Sequence, residues 1–109
     1  MPRLLVLCRH PYHLRDQDAQ AWLSEEIEAV VRRDGLQGAR LTRLANPPSS
    51  HSASSSGWLV EIRLGTAATV TAMRRGGAFG ELVADLRLLG MAPMVIVPDD
   101  RSAIELRPS

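Results

Sequence analysis

Apolar residues recur along this chain in six segments whose spacing alternates between strand-like and helix-like, and their order limits the fold more than any other feature. Leu4-Leu5-Val6-Leu7-Cys8 is apolar at odd and even positions alike, as expected of a central strand with hydrophobic neighbours on both faces. Pro11 disfavours helical geometry at His10, so residues 9–15 read as a loop. A helix is predicted from about Asp16, whose carboxylate can cap free backbone N–H groups. Ala19, Leu23, Ile27, Val30 and Val31 share one face of it, Trp22 lies alongside, and Gly35 closes it. Residues 39–45 alternate imperfectly and carry Arg40 and Arg43, as an edge strand does.

The clearest strand is Trp58 to Leu64. Trp58, Val60, Ile62 and Leu64 point one way, and Leu59, Glu61 and Arg63 the other. Thr66 is placed to cap a short helical segment running through Met73. Phe79, Leu82, Val83, Leu86 and Leu89 form a second helical stripe that Gly90 ends. Met94-Val95-Ile96-Val97, framed by Pro93 and Pro98, is the last apolar strand, and Ile104 with Leu106 allows a short extra one in the tail. Residues 47–57 are rich in proline and serine, which predicts a flexible loop within the domain, with residues 47–56 poorly ordered.

The resulting order is βαββαβ. Right-handed crossovers then favour an α+β, ferredoxin-like fold, with a four-stranded antiparallel sheet and two main helices on one face. At 109 residues the chain fits one domain, 1–109. With only 4% aromatic residues, aliphatic side chains must fill most of its core.

Composition removes several chemistries. The single cysteine, Cys8, excludes an internal disulfide framework and a multi-cysteine zinc site; inside an apolar run it reads as a buried, inert thiol, with His10 the one nearby base that would argue otherwise. A net charge of +1 spread along the chain gives no basic stripe for nucleic acid. The absence of lysine excludes a lysine Schiff base and the phosphate-gripping lysine of a P-loop. The first apolar run is too short for a signal peptide or a membrane span, so a cytoplasmic protein is expected, with no membrane partner.

RNA-recognition domains of this strand order need stacking aromatics on their central strands, where this chain has only Trp58, in phase with the apolar face; metal chaperones need paired cysteines after the first strand, where only Cys8 stands. The stretches RHPYHLRDQDAQAWL, GWLVEIRL and AFGELVADLRLLGMAPMVIV resemble the corresponding core segments of the dimeric α+β barrel superfamily, EthD-like and stress-responsive barrel type. Arg15-Asp16 stands where that family's helix starts on a serine-type cap. The resemblance implies a shared fold. It also implies a range of activities: small-molecule oxygenases, isomerases and cyclases, and members with no assigned reaction. Haem-dependent relatives carry a proximal histidine on the second main helix, and residues 66–90 contain none.

His10, Tyr12 and His13 cluster in the first loop. A histidine there can act as general base near neutral pH, and Tyr12 can orient a carbonyl or hydroxyl; the plainer alternative is a set of solvated loop side chains. The spacing of the two histidines suits a metal on a helix face, but Pro11 places them in a loop with no third ligand, so no metal is expected. Trp22 and Trp58 can line a pocket for a planar ligand or simply belong to the core. Glu61 and Arg63 fit a salt bridge better than a pocket floor, and His51 sits in the serine-rich loop.

The expected function is that of a small-molecule-binding dimeric barrel, without cofactor. The alternative is an EthD-like enzyme acting on a small aromatic or polyketide-like substrate, with His10 or His13 as base. Dimerisation follows from counting faces. Two helices cover one side of the sheet, yet Leu4 to Cys8, Leu59 and Met94 to Val97 place apolar side chains on both. A second copy, packed through the sheet face and the Met94–Val97 edge, is the simplest cover.

Overall fold

The computed structural model describes residues 3–11, 13–45, 57–65, 77–99 and 102–108. Six elements follow one another: β1 (Arg3–Arg9), α1 (Asp16–Arg33), β2 (Gly38–Leu44), β3 (Gly57–Arg63), α2 (Gly77–Leu88) and β4 (Met94–Ile96). The strands form one sheet in the order β2-β3-β1-β4, each neighbour antiparallel to the next. This is the ferredoxin-like α+β arrangement expected from the order of periodicities.

Alternation within the strands sets the layers. Leu4, Val6 and Cys8 of β1 and Trp58, Val60 and Ile62 of β3 point to one face and are buried. The helices meet them there with Ala19, Leu23, Ile27 and Val30 of α1, and with Phe79, Leu82, Val83 and Leu86 of α2, in a single core. No polar or charged residue among those described is buried.

Both helices end in the same way, and glycine makes it possible. Gly35 and Gly90 adopt φ of 64° and 72°, a region that costs side-chain-bearing residues about 1–2 kcal/mol. Each lets the following N–H fold back on the last turn: Leu36 N–H donates to Val31 O at 2.9 Å, and Met91 N–H to Leu86 O at 3.0 Å. Met91 is thereby tucked fully into the core. Asp34, the residue that closes α1, also starts α2: its carboxylate accepts from the backbone N–H groups of Ala78 at 3.2 Å and Phe79 at 3.1 Å.

Three expectations need correction. Asp16 does begin α1, but Arg15 occupies the cap position and no side chain caps the helix; the Asp16 carboxylate instead meets Arg43 and His10. The tail around Ile104 and Leu106 is not a strand, because within one chain no sheet edge pairs with it, and both side chains are exposed. The last strand stops at Ile96, one residue short of Val97. The serine-rich loop with His51, and the segment from Thr66 to Met73, lie outside the described residues.

Candidate functional site

Strand register places Cys8, Trp58 and Arg43 abreast on the helix-facing side, at the end of the sheet where the first loop begins. Trp58 is buried, and its indole N–H donates to Nδ1 of His10 at 3.1 Å. The two rings are stacked, with centroids 6.2 Å apart and planes 30° from parallel. The other ring nitrogen of His10, Nε2, lies 2.7 Å from the carbonyl oxygen of Leu14.

These two contacts determine the proton's position. An indole N–H only donates and a carbonyl only accepts, so Nδ1 must be bare and Nε2 must carry the hydrogen. Both nitrogens of His10 are thus engaged within the fold. A general base needs a free lone pair, and here the only one is taken by Trp58.

Arg43 completes the cluster. Its guanidinium carbon lies 5.0 Å from the Trp58 ring centroid, within reach of a cation–π attraction. Nη1 donates to the carbonyls of Gly57 at 2.8 Å and Leu44 at 3.1 Å. Nη2 and Nε reach the Asp16 carboxylate at 3.1 and 3.4 Å. Asp16 Oδ1 is also 3.5 Å from His10 Nε2. The first residue of α1 is therefore tied to the ends of β1, β2 and β3, and the cluster works as a latch. Cys8 beneath it is inert: burial pushes its thiol from 9.0 up to about 11, against the smaller opposing pull of its bond to Trp58 O.

The remaining expected site residues scatter. His13 is exposed. Trp22 is half-buried on α1 and packs against the core. Tyr12 lies outside the described residues. Among the described residues no group of three metal-ligating side chains occurs. No helix among them is long and apolar enough to cross a membrane.

The opposite sheet face is different in kind. Leu5 and Leu7 of β1, Leu59 of β3, and Met94 and Ile96 of β4 share it by register. Neither described helix covers them; Leu7, Met94 and Ile96 are 37%, 58% and 37% exposed. At the end of this face lies a hollow of about 610 Å³, lined by Leu7, Arg9, Leu44, Gly57, Ala92 and Met94. Its origin is a row across the sheet, Leu44–Gly57–Arg9, with no side chain at the centre. Gly57 has no alternative: a Cβ there would collide with the Cys8 carbonyl oxygen. Sequence reading passed over Arg9, Leu44 and Gly57, because only register brings them together. A smaller hollow of about 330 Å³ lies between α2 and β4, beside Phe79, Val83 and Pro93.

No family model matches the chain, and no curated protein matches it. Among solved structures it is similar to the crystal structure of At3g17210 from Arabidopsis thaliana, at 11% identity over 97% of this chain and 100% of that one, with a TM-score of 0.69. At so low an identity the likeness is one of fold: a small α+β domain built on a four-stranded antiparallel sheet.

Proposed function

We propose that this protein is a small-molecule-binding, homodimeric α+β barrel of the EthD-like or stress-responsive type, in which two copies pack their open sheet faces together. The observation that carries this reading is the apolar surface of Leu5, Leu7, Leu59, Met94 and Ile96, left uncovered by the two described helices, which both lie on the other side. Contiguous apolar surface of this kind marks an interaction site. Facing sheets pack about 10 Å apart, which leaves the hollow beside Gly57 at the mouth of the resulting barrel, as the place for a small apolar ligand.

Binding is favoured over catalysis by the state of His10, whose two nitrogens are held by Trp58 and Leu14. A histidine-base enzyme would have to break the indole bond before each turnover. Light scattering at micromolar concentration tests the assembly: a species of twice the 11.9 kDa chain mass is expected. Leu7→Glu should reduce it to a folded single chain. A wild-type protein that scatters as one chain at all concentrations overturns the barrel.

A further inference from the structure

We infer that the hollow beside Gly57 selects small monocarboxylates with an apolar body, held by Arg9 at its rim. This deepens the binding reading above and rests on it. Among the described residues Arg9 is the one charged side chain lining the hollow, and no acidic one lines it. Register sets Arg9 on the open face, in the same row as Leu44 and two residues along β1 from Leu7. It is exposed, and its guanidinium makes no ion pair or side-chain hydrogen bond among the described residues. The contrast with Arg43, on the opposite face of the same sheet end, is direct. Arg43 donates to two carbonyls and to Asp16, whereas the guanidinium donors of Arg9 meet no side chain or carbonyl among the described residues.

The rest of the lining is apolar or small. Leu7, Leu44 and Met94 offer hydrocarbon walls, and Gly57 and Ala92 leave the space between them. A volume of about 610 Å³ is in the range of small-molecule pockets, where a few polar groups orient an otherwise hydrophobic ligand. A guanidinium matches a carboxylate in charge and in its paired donor geometry. One cation at the rim of an apolar hollow therefore fits one anionic head on an apolar body.

Octanoate and octan-1-ol differ only in that head, so they separate the two parts of the site. Each is titrated at pH 7 into the full-length protein and into Arg9→Gln, with amide and methyl shifts followed by NMR. The expected result is that both ligands shift Leu7, Leu44 and Met94, with octanoate bound about tenfold more tightly. In Arg9→Gln that preference should vanish while octanol binding stays the same. Equal binding of the two ligands, unchanged in Arg9→Gln, overturns the carboxylate selection and leaves the apolar hollow standing. Failure of both ligands to shift these residues overturns the hollow as a binding site. Arg9 is exposed, so its variant should fold, and an unchanged melting temperature checks this.

Discussion

Trp58 and Leu59 are neighbours on one strand, and they lie in different environments. Trp58 faces the helices, is 2% exposed and is held by His10, Arg43 and its apolar neighbours. Leu59 faces outward, opposite Leu7 on β1 and Thr42 on β2, and neither of the described helices covers that face. One face of this sheet is finished by the described helices, and the other is left open by them. The same sheet end carries both outcomes for arginine, with the Arg43 guanidinium committed on the inner face and that of Arg9 unengaged among the described residues on the outer.

The largest effects should come from the finished face. Trp58→Ala removes a buried indole and strips His10 Nδ1 of its donor, so chemical denaturation should show a loss of about 3–5 kcal/mol. Leu59→Ala, one residue away, should leave the unfolding of a single chain within about 1 kcal/mol of wild type. Its effect should appear instead as a higher dissociation constant in dilution experiments. Equal losses from the two substitutions in the stability of one chain would erase the distinction between the faces.

Cys8 lies on the finished face, and alkaline pH probes it. The folded state keeps the thiol proton up to about pH 11, whereas the unfolded chain releases it near the ordinary value of 9.0. A group whose folded pKa is raised leaves stability intact below the unfolded value and drains it as pH climbs towards the folded one. Between pH 9 and about 11 the wild type should therefore lose roughly 2–3 kcal/mol more than Cys8→Ala does. Parallel stability curves for the two proteins would show that the thiol is not sequestered. The same burial should make Cys8 unreactive towards a thiol reagent at pH 8 until the protein unfolds.

Gly57 belongs to both faces. Gly57→Ala should destabilise the chain by about 1–3 kcal/mol, because the added methyl meets the Cys8 backbone carbonyl and not a movable side chain. It also places a methyl group in the row between Leu44 and Arg9, so ligand binding at the hollow should weaken alongside stability. Loss of stability with unaltered octanoate binding would separate the two roles.

Much of the fold was legible in the sequence because its determinants are local. Period-two spacing marked β3, period-3.6 spacing marked α1, and Gly35 and Gly90 marked the helix ends. The doubly apolar β1 and β4 also pointed to the uncovered face. Contacts set by register over long separations were not legible. The bond from Trp58 to His10 spans 48 positions and the carboxylate of Asp34 caps a helix 44 residues away. Asp16 looked like a cap because its local chemistry allows one, yet Arg43, which strand pairing places nearby, takes its carboxylate. The tail illustrates the converse: Ile104 and Leu106 alternate as a strand does, but alternation without a partner edge forms none. The histidines were legible as a loop cluster, and what decided the chemistry of His10 was a hydrogen bond that no spacing rule reports.

The smallest expected effect sits at the rim of the open face. Ala92 has φ of 47°, the only positive value among the described residues that are not glycine. It follows the buried Met91, whose carbonyl accepts from Arg9 N–H at 2.7 Å, so the turn is pinned on one side by β1 and on the other by Pro93 and β4. A methyl-bearing residue in this region costs about 1–2 kcal/mol. Glycine removes that cost but gives the unfolded chain more freedom, worth about 0.5–1 kcal/mol in the other direction. Ala92→Gly should therefore stabilise the protein by a net amount of about 0.5 kcal/mol, a small upward shift in melting temperature. The effect should be the same in the dimer and in a Leu7→Glu single chain, because the strain is local to the backbone. A gain confined to the dimer would instead mean that the rim changes shape when the second copy docks, and that the open face is not preformed.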